Sequence, residues 1–142
     1  MNVLIVEDSM TCRRAVSIMF REAGWKVREC ETLPASDDVG WGDVVILDLG
    51  LANVEPNESS TYFFSAFPDT PCVVYTSVDD LDTHSRVRAM GAFDVVPKEN
   101  LNRLVEAAKL AIDSRKKQQG ERLDIVAKIG NLINGLHSGE SQ

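Results

Sequence analysis

Acids, hydroxyls and a lysine follow short apolar runs at four places in this 142-residue chain. Glu7-Asp8 follows Val3-Leu4-Ile5-Val6, and Asp48 closes Val44-Val45-Ile46-Leu47. Thr76-Ser77 ends Cys72-Val73-Val74-Tyr75, and Lys98 closely follows Phe93 to Val96. Each alone is ordinary, because an acid after a strand is usually solvated or caps a helix. Jointly they bring three carboxylates, a hydroxyl and an ammonium to four strand ends. Crowded carboxylates repel and raise one another's pKa. A hard divalent cation relieves that repulsion, and Mg²⁺ typically takes one or two carboxylates plus waters and phosphate oxygens. A carboxylate in such a set can also serve as a nucleophile and become an aspartyl phosphate. The metal would then neutralise charge on the transferring group. Lys98 and Thr76 are placed to pair with further phosphoryl oxygens.

For these residues to meet, the runs must be strands of one sheet. Val3–Val6, Val44–Leu47 and Cys72–Tyr75 are continuous apolar stretches rich in β-branched residues, as expected of strands buried on both faces. Trp25 to Cys30 alternates and reads as a second strand, and Phe93 to Val96 as a fifth, bounded by Pro97. Ser9 is placed to cap a helix with Cys12, Ala15/Val16, Met19 and Ala23 on its inner face, stopped at Gly24. Glu31 to Gly42 has room for at most a short helix. A polar loop containing Pro56 leads to a helix around Ser60 to Phe67, broken by Pro68. Asp79 or Asp80 caps the next helix, which runs to about Met90 and closes at Gly91. Leu101, Leu104/Val105, Ala108 and Ile112 form the inner stripe of a last packed helix. Strands alternating with helices imply an α/β fold: a doubly wound five-stranded parallel sheet with its crevice at the C-terminal strand ends.

Leu4-Ile5-Val6-Glu7-Asp8-Ser9, Val45-Ile46-Leu47-Asp48-Leu49, Val74-Tyr75-Thr76-Ser77 and Gly91-Ala92 through Lys98 resemble the receiver domain of two-component response regulators. The resemblance covers about residues 1–112, in order and at near-standard spacing. It implies the flavodoxin-like receiver fold, with Asp48 as phosphoacceptor and Glu7 and Asp8 holding Mg²⁺ or Mn²⁺. Gly50 would add a backbone carbonyl to the metal, and Thr76 and Lys98 match the switch hydroxyl and the phosphoryl-binding lysine. The implied donor is a histidine kinase or histidine phosphotransfer protein, and the implied output a protein target; the cytoplasm is expected because the N-terminal apolar run meets Glu7-Asp8 too soon for a signal-peptide core. Such a domain accepts a phosphoryl group and hydrolyses its own aspartyl phosphate, without being an enzyme on other substrates. The chain departs from the pattern at Val95, where the family has an aromatic that reorients with the threonine. It also reads Pro97-Lys98 where the lysine usually precedes proline, and Ala52 where a proline follows the acceptor loop. Phosphorylation with an altered relay is therefore expected. The alternative is a degenerate receiver that serves as a phosphorylation-independent interaction module.

Composition narrows the other options. A net charge of −7 argues against nucleic acid as a partner, and no apolar run approaches a membrane span of about 20 residues. Residues 1–112 carry ten Lys/Arg against eighteen Asp/Glu, giving −8, and residues 113–142 carry five against four, giving +1. Cys12, Cys30 and Cys72 lack CxxC spacing, and His84 has no Cys/His/Asp set beside it, so no zinc site is indicated. A haloacid-dehalogenase-type nucleophile needs a second acid where Gly50 stands. A dinucleotide loop needs glycines where Glu7-Asp8-Ser9-Met10-Thr11 stands. Two segments are expected: a receiver over 1–114 and an extension over 115–142. Asp113 to Gly120 either prolongs the fifth helix or forms a charged linker. Ile125, Ile129, Leu132 and Leu136, flanked by Val126 and Ile133, mark an amphipathic C-terminal helix. It packs on its own receiver or forms a homodimer or partner seam.

Overall fold

The structure, a computed structural model, describes residues 1–51 and 56–140. The chain divides into two compact units, Met1–Ile112 and Asp113–Gln142. In the first, strands β1 (Asn2–Val6), β2 (Lys26–Cys30), β3 (Val44–Asp48), β4 (Cys72–Thr76) and β5 (Asp94–Pro97) form one sheet. Their order is β2-β1-β3-β4-β5 and every pairing is parallel. This is the doubly wound sheet that the alternation of apolar runs with helical stretches implies.

The central strands β3 and β4 are buried at every position, which explains their unbroken apolar sequences. Alternate side chains nevertheless serve opposite faces. Val3, Ile5, Val44, Ile46, Val73 and Tyr75 pack with Val16 and Phe20 of α1 (Met10–Glu22) and Leu104 and Ala108 of α5 (Leu104–Glu140). Leu4, Val6, Val45, Leu47 and Val74 pack with Val39 of α2 (Ser36–Trp41), Phe63 and Phe64 of α3 (Pro56–Ala66) and Val87 of α4 (Leu81–Met90). The edge strand β2 is largely open, in keeping with its alternating pattern.

Local signals set most boundaries. Ser9 Oγ accepts from the Cys12 N–H at 3.4 Å and so caps α1. Asp80 Oδ1 accepts from the Asp82 N–H at 3.1 Å and caps α4. Gly91 closes α4 at φ +128°, a backbone conformation that a Cβ disfavours. Two expectations need revision. Helix α3 starts at Pro56 rather than near Ser60, because proline suits the first helical position, where no N–H partner is required. Leu101 lies in a 3-10 turn, Lys98–Arg103, that precedes α5. Of the two readings of residues 113–120, prolongation of the fifth helix holds: α5 is a single helix from Leu104 to Glu140. Ala52 lies outside the described residues.

Candidate functional site

The sheet order makes β1, β3, β4 and β5 consecutive neighbours, so their C-terminal ends share one rim. Glu7 continues β1 by donating its N–H to Cys30 O at 3.0 Å, while Asp48 is the last residue of β3. Carboxylate oxygens of Glu7, Asp8 and Asp48 lie within 4.8 Å of one another. Lys98, the first residue of the 3-10 turn, reaches back into this group. Its Nζ lies 3.3 Å from both Glu7 carboxylate oxygens and 3.3 Å from Asp48 Oδ2. It also stands 5.2 Å above the Tyr75 ring, which forms part of the floor. The Gly50 N–H donates to Asp48 Oδ1 at 2.9 Å and fixes the carboxylate from the loop side. A Cβ at Gly50 would sit 3.5 Å from that same oxygen.

Burial sharpens the electrostatics. Glu7 and Asp48 are almost wholly enclosed, at 1% and 2% exposure. Burial, followed by hydrogen bonding to and repulsion from Asp48, pushes Glu7 up to about 7 against the pull of Lys98. Burial of the Lys98 ammonium works against its charge, but Asp48 and Glu7 outweigh that and raise its pKa. Three carboxyl groups thus gather beside one ammonium, and Glu7, the most enclosed, is pushed furthest toward its neutral form by burial. An all-oxygen donor set with surplus negative charge suits a hard divalent cation such as Mg²⁺ or Mn²⁺.

Thr76 ends β4 and is buried, and its Oγ1 accepts from the Val78 N–H at 3.0 Å. Ser77 beside it is exposed. Val95 packs into the core on the α3 and α4 side, whereas Phe93 precedes β5 and is 39% exposed. Phe93 therefore does not fill the place of the absent aromatic within the strand.

Two residues escaped the sequence reading. Arg13 on α1 is largely buried, and its Nη1 donates to Glu7 O at 2.8 Å and to Asp8 O at 3.4 Å. Its other atoms pair with Glu29 at 3.6 Å and Glu31 at 3.3 Å. One guanidinium thereby ties the acidic turn after β1 to the end of β2. His84 is half-buried with Nε2 2.6 Å from Val78 O. A faint signal existed for Arg13: a cation near the start of α1 and two acids at the end of β2. None existed for His84, whose partner is a backbone carbonyl.

The comparisons with known proteins agree with this fold. The family model of the response regulator receiver domain matches residues 3–109. The chain therefore belongs to the response regulator receiver family. Its fold is similar to a CheY-like receiver domain protein from Methanospirillum hungatei JF-1. That match has a TM-score of 0.70 at 19% identity and covers 82% of this chain and 97% of the other. A receiver domain protein from Clostridium thermocellum matches with a TM-score of 0.73 at 20% identity, over 82% and 98% of the two chains. NtrX from Brucella abortus, in complex with ATP, matches at 0.74 and 21% identity, over 85% of this chain and 29% of its own. No curated protein matches the sequence.

Proposed function

We propose that this chain is a phosphorylatable receiver in a two-component phosphorelay, with Asp48 as acceptor. The observation that carries the reading is the convergence of Glu7, Asp8 and Asp48 within 4.8 Å, closed on one side by Lys98. An Asp48 carboxylate oxygen would form the new P–O bond as the P–N bond of a donor phosphohistidine breaks and the imidazole leaves. Glu7, Asp8, Asp48 and the Gly50 carbonyl would hold Mg²⁺ or Mn²⁺, which neutralises charge on the phosphoryl oxygens when bound. Lys98, already 3.3 Å from Asp48 Oδ2, is positioned to follow the charge onto a phosphoryl oxygen. Thr76 Oγ1 would exchange its bond from the Val78 N–H for one in which it donates to the phosphoryl group. In this reading the chain is not an enzyme on other substrates. It works in the cytoplasm between a histidine kinase or phosphotransfer protein and a downstream protein target.

The second reading, an interaction module that signals without phosphorylation, draws on Val95 and Pro97. Acetyl phosphate with Mg²⁺, followed by intact mass, separates the two. One phosphoryl addition to wild type and none to Asp48→Ala supports the acceptor. No addition to wild type, or equal addition to Asp48→Ala, refutes it.

A further inference from the structure

Helix α5 continues to Glu140, and its C-terminal half carries an apolar stripe. Ile125, Val126, Ile129, Leu132, Ile133 and Leu136 are between 49% and 71% exposed. Ile125, Ile129, Leu132 and Leu136 follow the alternating four- and three-residue steps of a coiled-coil seam, and Val126 and Ile133 widen it on one side. Lys128 and Asn131 lie off the seam and are exposed as well.

Such a helix is hard to sustain on its own. Gly120, Gly130, Gly135 and Gly139 lie within it, and each weakens a helix relative to alanine. Isolated helices with weak propensity are marginal in water, and amphipathic ones owe most of their stability to burial of the apolar face. Something must cover the stripe for residues 121–136 to remain helical.

We infer that the cover is the same stripe of a second copy, so that the exposed Ile125–Leu136 seam is a homodimer interface. The area argues for this occupant. Six aliphatic side chains of this size offer roughly 100 Å² each, or about 600 Å² per helix. A self-complementary pair would then bury about 1,200 Å², the lower end of a specific dimer interface. Isologous pairing also needs no second protein whose surface evolved to fit, since each stripe is the complement of the other. The segment from residue 113 onward carries +1 in contrast to −8 for residues 1–112, so it is the part of the chain where two copies repel least.

The test uses the full chain. Sedimentation equilibrium over a hundredfold concentration range should give a mass approaching twice that of one chain, falling toward one chain on dilution. Far-UV helicity should fall over the same range, because the partner holds the helix. The pair Ile129→Glu/Leu132→Glu should give a monomer with reduced helicity, whereas Asn131→Glu, off the seam, should stay dimeric. A wild-type chain that is monomeric throughout overturns the proposal, as does a mass three times that of one chain. A dimer that survives Ile129→Glu/Leu132→Glu places the interface elsewhere. Helicity unchanged while the mass halves removes the claim that the second copy supports the helix. Near-identical urea unfolding of the receiver unit in the variant guards against simple misfolding as the cause of monomerisation.

Discussion

Glu7→Gln tests the electrostatics of the site without any phosphodonor. The folded chain raises Glu7 from 4.5 to about 7, chiefly through burial and then through Asp48. Between those two values the folded state binds a proton that the unfolded state has already released. Stability must therefore fall as pH rises from about 4.5 to 7, and stay lower above that. A tenfold difference in proton affinity between the two states corresponds to about 1.36 kcal/mol, so the cost at pH 8 approaches roughly 3 kcal/mol. Glutamine resembles the protonated acid in shape and cannot ionise, so the variant escapes this cost. It also gives up the charge-assisted contact with Lys98 Nζ at 3.3 Å, but the raised value of Glu7 already includes that pull. The net expectation at pH 8 in EDTA is a gain of about 3 kcal/mol, or roughly 8–15 °C in Tm. Near pH 4, where Glu7 is protonated in both states, the advantage should vanish. Urea unfolding at pH 4, 5, 6, 7 and 8 reads both the sign and the window. Mg²⁺ at a hundred times its Kd should return about 2.7 kcal/mol to wild type and less to the variant, which lacks one ligand. A variant with the wild-type pH slope, or one less stable than wild type at pH 8, would refute the reasoning.

Arg13→Ala should cost about 2–3 kcal/mol in urea unfolding and weaken Mg²⁺ binding, because the carbonyls of Glu7 and Asp8 lose a buried cation. A change below about 0.5 kcal/mol would show that the guanidinium is not an anchor. Gly91→Ala should cost about 1–2 kcal/mol, since φ is +128° and the added Cβ would meet Phe64 Cδ1 at 3.5 Å. The contact distance is ordinary, so Gly91→Asn, which tolerates positive φ better, should recover part of that loss in the same assay. His84→Ala should cost about 1 kcal/mol and speed amide exchange at Val78, whose carbonyl would lose its 2.6 Å partner.

How much of this was legible depends on whether the controlling interactions are local. The buried strands announce themselves because a parallel sheet covered on both faces needs apolar residues at consecutive positions, as in Val44–Leu47. Ser9, Asp80 and Gly91 are likewise local signals, acting within one turn of the helix end they define. The acids of the site were visible because each stands where a strand ends. Their mutual distances were not, since strand order and register follow from the packing of the whole sheet. Gly120 and the basic run before it left both a linker and a prolonged helix open, because helix propensity is a weak prior that context decides. Arg13 and His84 stayed hidden for a different reason. Both bind main-chain carbonyls, and a carbonyl has no sequence identity.

The substitution at Val95 alters how a change at Asp48 can travel. The receiver pattern that the chain otherwise resembles uses an aromatic there, which turns as the threonine moves. Val95 is buried in the core that also holds Phe63 and Phe64, and it has no ring of its own to turn. Thr76 is instead tied through its Oγ1 to the Val78 N–H at 3.0 Å, and Val78 O is held by His84 at 2.6 Å. Withdrawal of the Thr76 hydroxyl toward a phosphoryl group would break the first bond and leave Val78 held by the second. The expected displacement is therefore at Val78, His84 and the start of α4 (Leu81–Met90), with β5 (Asp94–Pro97) little changed. Amide chemical shifts of free and beryllofluoride-bound protein read this directly. Large changes along the whole face formed by α4 and β5 would mean that the relay runs as in receivers with the aromatic, and that the Val78–His84 link is only structural. In His84→Ala, the beryllofluoride response at Val78 should grow while the response at β5 stays small. Equal growth at both would remove the distinction between the two routes.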